Sequence, residues 1–245
     1  MAKTEKTRID TLLVEKGLAP TREKSQALIM AGSVLVDGAV VDKPGREVKR
    51  ESVIEVKAGL PFVGRGGVKL SGALEAFNIC VEGLTIVDIG SSTGGFTDCV
   101  LKRGAKKVYA IDVGKSLLDC HLRNDPRVVV LEGYNIRHFD LALITDPIDM
   151  AVIDVSFISL EKVLPKAEGL VRENGTVLAL VKPQFEAGKG RVGKGGIVRD
   201  EAIHREVVDK IKAFALDLGF RVAGEAQSSI TGTKGNREFW VWLVK

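Results

Sequence analysis

From Leu84 onward the chain repeats one pattern, a short apolar run followed by a longer stretch with polar residues interleaved. The runs are LTIVDIG, KKVYAIDVG, RVVVLEG, IDMAVIDVS, TVLALVK, FRVAGEAQSSI and REFWVWLVK. Strand-length runs alternating with helical stretches predict a mostly parallel sheet with helices on both faces. In such sheets small molecules bind at the C-terminal strand ends, near the point where the strand order reverses. Three of the runs end on a carboxylate, at Asp88, Asp112 and Asp154, so these side chains are expected along that edge.

The first quarter has a different rhythm. In RIDTLLVEKGL, Ile9, Leu12, Leu13 and Lys16 recur at helical spacing, and Gly17 is a natural stop. APTREKSQALIMAG predicts a second helix, with Thr21 as its N-cap and Gly32 at its end. VLVDGAVV places two β-rich runs around Asp37-Gly38, a strong hairpin signal, and SVIEV adds another strand. The expected division is a small α+β domain over residues 6–58, a Gly- and Pro-rich linker over 59–66, and an α/β domain over 67–245.

Composition and charge narrow the function. With 245 residues and 45% hydrophobic content there is ample material for a core. No segment approaches the ~18 uninterrupted apolar residues of a membrane helix. The charged start MAKTEKTRID has no apolar stretch for a signal peptide, so a cytoplasmic location is expected. Cys80, Cys99 and Cys120 are odd in number and form no Cys-x-x-Cys pair, which argues for reduced thiols and no metal site. Residues 1–70 hold 13 Lys and Arg against 9 Asp and Glu, whereas the remaining 175 residues hold 23 of each. The whole net charge of +4 therefore lies in the first 70 residues, the placement expected if that quarter meets a polyanion.

The segment from Arg8 to Val48 resembles the S-four-like RNA-binding fold of the small ribosomal subunit. That resemblance implies RNA contacts by Arg8, Arg22, Lys24 and Lys43 on the second helix and around the hairpin.

DIGSSTGGFTD carries Gly90, Gly94 and Gly95 between a strand and a helix. Ser91 and Ser92 break the dinucleotide fingerprint, leaving Asp-x-Gly-x-x-x-Gly. The first Gly is expected to permit a tight turn and the second to let a ligand approach the backbone. Asp88 would then face a cation, and Asp112, 24 positions later, would hold ribose hydroxyls. The combination resembles the cofactor site of Rossmann-like class I S-adenosylmethionine-dependent methyltransferases. It implies binding by Asp88, Gly90, Ser91, Ser92, Gly94, Gly95, Phe96 and Asp112, with Asp154 at the neighbouring strand end.

The acceptor is read from four ionisable residues. Lys69 opens a helix in GRGGVKL, Asp154 and Lys182 close the fourth and fifth strands, and Glu238 sits in the last strand. In this order they resemble the Lys-Asp-Lys-Glu tetrad of FtsJ-type RNA ribose 2′-O-methyltransferases. A sulfonium methyl is already electrophilic, so the protein must align it and deprotonate the attacking hydroxyl. Lys182 is the expected base, with Lys69 as a like charge that lowers its proton affinity and the carboxylates as orienting groups. Between tetrad members, EAGKGRVGKGGIVRD offers Lys189, Arg191 and Lys194 to RNA phosphates, or is a plain connection.

Over nearly its full length the chain resembles the TlyA (hemolysin A) family, through VGRGGVKL, DIGSSTGGFTDCVL, VIDVSFISL, VKPQFEAG and VGKGGIVRD. The resemblance implies 2′-O-methylation of ribosomal RNA, typically at cytidine, and places Asn135 of EGYNIR near the cofactor adenine. A membrane-active haemolysin and a non-catalytic ribosome-assembly factor are the alternatives.

Overall fold

The structure, a computed structural model, describes residues 6–30, 32–56, 61–188, 190–232 and 235–245. Lys189 lies outside the described residues. The chain divides into two compact units between Pro61 and Phe62.

In the first unit the helices α1 (Ile9–Glu15) and α2 (Arg22–Met30) pack against three antiparallel strands, β2 (Val34–Val36), β3 (Ala39–Val41) and β5 (Ile54–Val56). Ile9, Leu12 and Leu13 of α1 meet Ile29, Val34 and Val41 in the core, as the helical spacing requires. Thr21 caps α2, its hydroxyl accepting from Lys24 N at 3.2 Å. Asp37 and Gly38 both have positive φ, 50° and 78°, the backbone a two-residue hairpin turn demands.

Two features of this unit leave no trace in the apolar pattern. A short antiparallel pair, β1 (Lys6–Arg8) with β4 (Glu47–Lys49), is built from mostly charged triplets that hold a single apolar residue, Val48. The other is Asp10, fully buried at the start of α1. Its carboxylate accepts from Arg8 Nε and Nη2 at 3.0 and 2.8 Å, from Arg22 Nε at 3.1 Å and from Gln26 Nε2 at 3.1 Å. The Arg8 guanidinium holds the Asp10 carboxyl well below the usual carboxylate range. Arg8 and Arg22 are thus fixed as a half-exposed pair, while Lys24 and Lys43 are exposed.

The second unit holds a seven-stranded sheet built from all seven apolar runs. In chain order its strands are β6 (Thr85–Ile89), β7 (Lys107–Asp112), β8 (Val128–Glu132), β9 (Ile148–Ile153), β10 (Val171–Val181), β11 (Arg221–Gln227) and β12 (Phe239–Val244). The spatial order is β11-β12-β10-β9-β6-β7-β8, with β12 antiparallel to both of its neighbours. The order reverses between β6 and β9, so the switch point lies there.

Alternate strand residues serve two cores. Ile86, Val108, Met150 and Val152 meet α3 (Arg65–Ala76), α4 (Gly95–Lys102) and α5 (Cys120–Arg123) on one face. Val87, Ile111, Ala151 and Ile153 meet α6 (Leu164–Leu170) and α8 (Glu201–Asp217) on the other. Several expectations shift in detail. The helical layer thins to the single turn of α5 between β7 and β8, and to two 3₁₀ turns between β8 and β9. Helix α3 begins at Arg65, inside the stretch expected as linker, so Lys69 stands in its second turn. Gly66 and Gly67 are helical there because their bare backbone packs against Phe96 and Phe62; a Cβ on Gly67 would lie 2.3 Å from Phe62 Cβ. Glu238 precedes β12 and is not within it.

Candidate active site

The loop after β6 is shaped by residues with left-handed backbone. Gly90 (φ 88°), Ser92 (φ 49°) and Gly94 (φ 97°) turn the chain from strand to helix. A Cβ on Gly90 would lie 2.4 Å from Asp154 O, so this position admits only glycine while β9 stays in place. A Cβ on Gly94 would meet the Cδ1 ends of Leu122 and Leu118 at 2.3 and 2.8 Å. With its φ of 97°, this position favours glycine for its backbone as well as for its packing.

The three strand-terminal carboxylates take different positions. Asp88 is fully buried behind the loop, where Oδ2 accepts from Thr97 N at 3.0 Å and Thr97 Oγ1 at 2.7 Å. It supplies the first turn of α4 with the acceptor that Gly94 lacks. Asp112 accepts from Ser92 N at 2.8 Å and Gly114 N at 2.7 Å, tying two loops together at the end of β7. Asp154 follows β9, its backbone N–H bonded to Ile89 O at 3.0 Å across the switch point.

Burial pushes the Asp88 carboxyl up to about 7, helped by the nearby Asp154 charge and opposed by the Thr97 bonds. A carboxyl raised in the fold favours folding at low pH, and that contribution fades as pH rises through its folded value. Through this group stability should fall between about pH 4, its unfolded value, and pH 7. Asp88→Asn, uncharged and of the same shape, should flatten that decline in thermal melts across the range. A variant that keeps the wild-type slope would acquit Asp88.

A cleft of about 690 Å³ opens at the switch point. Gly90, Ser92, Asp112, Asn135 and Asp154 line it, as does the backbone end of β6 at Ile89. Ser91, Gly94, Gly95 and Phe96 are buried in the supporting structure and do not line it. Asn135 caps the 3₁₀ turn Ile136–His138, accepting from Arg137 N at 3.1 Å. The walls add apolar residues that the motifs do not single out, notably Val113, Leu117, Tyr134 and Phe157. The volume and the mix of apolar walls with a few polar groups suit a nucleoside-sized ligand.

The four ionisable residues form two ion pairs at this same sheet edge. Lys69 Nζ lies 2.7 Å from Glu238 Oε2, both nearly buried. Lys182 Nζ pairs with Asp154 and donates to Ser156 Oγ at 3.0 Å. The antiparallel register of β10 and β12 pairs Val181 with Phe239, so Lys182 and Glu238 leave the sheet side by side. Lys69 is engaged by a carboxylate in this state, so the like-charge partnership expected between the two lysines is replaced by two neutral pairs.

Two aromatic residues flank the second pair. Phe157 is 91% exposed, has φ 63°, and its ring centroid lies 4.9 Å from that of Phe185; the Lys182 ammonium sits 5.8 Å from the Phe185 ring centre. Each aromatic stands three residues after a tetrad member, in DVSF and KPQF, which is the signal the sequence carries for them.

The basic loop before α8 is ordered by its neighbours. Gly193 and Ile197 form an antiparallel bridge, Asn236 bonds Gly196 O and Val198 N at 2.9 and 3.1 Å, and His204 Nε2 meets Val198 O at 3.0 Å. Arg191 is held by Glu206 at 2.6 Å, whereas Lys194 is exposed. The three cysteines are free thiols. Donor atoms of Asp119, Cys120 and His121 lie within 4.8 Å of one another, and Asp119 Oδ1 accepts from His121 N at 2.9 Å.

Residues 62–245 match the model of the FtsJ-like methyltransferases, and residues 7–54 that of the S4 domain. The chain belongs to the FtsJ-like methyltransferase family. Within that family it is 44% identical, over 97% of its length and 90% of the relative's, to the 16S/23S rRNA (cytidine-2′-O)-methyltransferase TlyA of Mycobacterium tuberculosis. It is 41% identical to hemolysin A of Brachyspira hyodysenteriae, over 97% of this chain and 99% of the other. A solved structure of a hemolysin-named protein from Streptococcus thermophilus superposes with a TM-score of 0.77 at 45% identity, covering 99% of this chain and 90% of that one. These relatives make the chain a TlyA-type member of the family, with an N-terminal S4 domain and a class I methyltransferase sheet. No described helix is long and apolar enough to cross a membrane.

Proposed function

We propose that the protein transfers a methyl group from S-adenosylmethionine to a ribose 2′-hydroxyl of ribosomal RNA, at cytidine, in the cytoplasm. The observation that carries this reading is the two ion pairs, Lys69–Glu238 and Lys182–Asp154, at the sheet edge where Asp154 lines the switch-point cleft. The rRNA (cytidine-2′-O)-methyltransferase activity named for the mycobacterial relative supports the substrate class.

The cleft fits the cofactor on three counts. Gly90 keeps the loop low against Asp154, Asp112 retains oxygen lone pairs beyond its two backbone bonds, and Val113, Leu117 and Tyr134 offer apolar faces to a flat ring. Asp112 would hold ribose hydroxyls, Asn135 would border the adenine, and Asp154 would face the charged end. Ser91, Gly94, Gly95, Phe96 and Asp88 would act from behind by fixing the loop. When bound, the cofactor supplies a methyl on a positively charged sulfur, which is electrophilic without further activation.

The protein's own task is the acceptor. Lys182 first gives the proton it carries in the ion pair to solvent; as the free amine its Nζ takes the 2′-hydroxyl proton while the oxygen attacks, and Asp154 and Ser156 hold it in place. The ammonium that forms is stabilised by the carboxylate already beside it. Lys69 and Glu238 border the ribose and fix its orientation. The exposed Phe157 ring, backed by Phe185, offers a face on which a base taken out of the stack can rest. Arg8, Arg22, Lys24 and Lys43 of the S4 domain, with Lys189, Arg191 and Lys194 of the second unit, supply phosphate contacts.

Asp112→Ala should weaken cofactor binding roughly ten- to hundredfold, since a hydrogen bond to a charged group contributes about 1.5–3 kcal/mol. Calorimetry that finds unchanged affinity in a folded variant would remove Asp112 from the site. The function itself is tested by offering methyl-labelled cofactor with naked rRNA, isolated subunits and intact ribosomes. Label is expected in RNA from at least one of these, and its absence from all three would overturn the reading. A haemolysin, the meaning of the Brachyspira name, would lyse cells as a pure protein, and no lysis is expected.

A further inference from the structure

Glu186 closes the short helix α7 (Pro183–Glu186), four residues after Lys182, and belongs to no part of the tetrad. It is buried, yet its carboxylate is fully engaged with the loop that follows β9. Oε1 accepts from Leu160 N at 2.8 Å and Oε2 from Ser159 Oγ at 2.7 Å. Ser159 in turn caps the 3₁₀ turn Leu160–Lys162, and Leu160 is sunk in the core.

The segment between Asp154 and Ser159 needs such an anchor. It contains Ser156, which accepts from Lys182, and Phe157, whose positive φ is unfavourable for an aromatic residue. A conformation of that kind persists only where surrounding contacts over-determine it. One end of the segment is fixed by the bond from Asp154 N to Ile89 O. The other end is fixed by Glu186.

The clamp also joins the two strand ends that carry the reaction. Lys182 and Glu186 lie on the excursion after β10, whereas Asp154, Ser156, Ser159 and Leu160 lie on the excursion after β9. A carboxylate at the end of one reaches two donors at the end of the other. Burial pushes the Glu186 carboxyl above its ordinary range, so its placement here works against its own hydration. Beyond it, Lys210 of α8 pairs with Glu161 at 2.7 Å, and so neutralises the second carboxylate near Ser159, 3.3 Å from its Oγ.

We propose that Glu186 is a positioning residue for methyl transfer, clamping the Val155–Ile158 segment so that Asp154 and Ser156 hold Lys182 at the acceptor. The proposal rests on the reading of Lys182 as proton acceptor. An alternative in which Glu186 merely caps the 3₁₀ turn would predict altered stability without a selective effect on the chemical step.

The test compares full-length Glu186→Ala, Glu186→Gln and Ser159→Ala by amide hydrogen exchange over residues 155–163 and by single-turnover methyl transfer to rRNA. In Glu186→Ala exchange at Leu160 should quicken about tenfold or more, because its N–H loses a charged acceptor. The methyl-transfer rate should fall roughly ten- to hundredfold, with RNA affinity within about threefold of wild type. Glu186→Gln should restore both to within about threefold, because its amide oxygen accepts from Leu160 N and its amide N–H₂ donates to Ser159 Oγ.

Ser159→Ala, which removes one of the two clamp bonds together with the cap bond from Glu161 N, should fall between wild type and Glu186→Ala in transfer rate and in exchange at Leu160. It decides the matter if Glu186→Ala does not fold. Wild-type exchange in the Ala variants, a loosened segment with an unchanged transfer rate, or a Gln variant as impaired as Ala would overturn the proposal. A wild-type protein that transfers no methyl at all would overturn the functional reading and the positioning role with it, whereas normal turnover in wild type and Glu186→Ala alike would sink the clamp alone.

Discussion

Lys182→Arg is expected to bind cofactor and RNA within about threefold of wild type and to lose methyl transfer by at least about a hundredfold. The guanidinium keeps the positive charge that Asp154 meets, so the buried pair is not broken and the fold is spared the roughly 3–5 kcal/mol that an orphaned buried charge costs. It cannot give up its proton near neutral pH, so it cannot accept one from a hydroxyl. Lys182→Ala should be equally inactive but less stable. The contrast separates proton transfer from scaffolding, which Lys69→Ala would not do, because Lys69 and Glu238 are both nearly buried and depend on each other. Single-turnover assays alongside calorimetry make the comparison, and wild-type-like turnover in the Arg variant would end the general-base role.

Removal of the first unit should have the second large effect. A chain starting at Phe62 keeps both cores of the sheet unit, the glycine loop and all four tetrad residues. It should bind cofactor as the full chain does. It loses residues 1–61, which hold 11 Lys and Arg against 9 Asp and Glu, half of the net charge of +4, together with the Arg8–Asp10–Arg22 cluster. RNA affinity should fall by orders of magnitude at moderate salt, and the log–log salt slope should flatten by about 0.7–0.9 for each phosphate contact removed. Filter binding across a salt series reads both quantities. Equal affinity and slope in the two proteins would move recognition into the second unit, with the Asn236-held loop around Arg191 and Lys194 as the place to look next.

The sheet was legible because its strands are β-branched runs whose neighbours must bury them on two faces, a demand that leaves a continuous apolar signature. The mostly charged triplets of β1 and β4 leave none. The four tetrad residues could be placed by the strand ends they follow, but their pairing could not, because only the register of β10 with β12 brings Glu238 beside Lys182 and leaves Lys69 to meet it. Gly94 illustrates a second limit. Its neighbour, Leu122, comes from a single-turn helix far along the chain, so the packing contact at this glycine could not be read from the motif. Asp88 shows a third, since a strand-terminal carboxylate can face the cleft or the helix behind it, and only the contact with Thr97 decides. Glu186 lies within the segment VKPQFEAG, yet nothing in that segment gives it a role; its meaning lies in two bonds to a segment 26 and 27 residues away.

The central claim is the ribose hydroxyl as acceptor, and the position of the new methyl group tests it most directly. Ribosomal RNA treated with the protein and cofactor is digested to nucleosides and fragmented in a mass spectrometer, which separates base from sugar. A methyl on the ribose fragment of cytidine is predicted, dependent on Lys182. A methyl on the base fragment would contradict a site built around a lysine that deprotonates a hydroxyl.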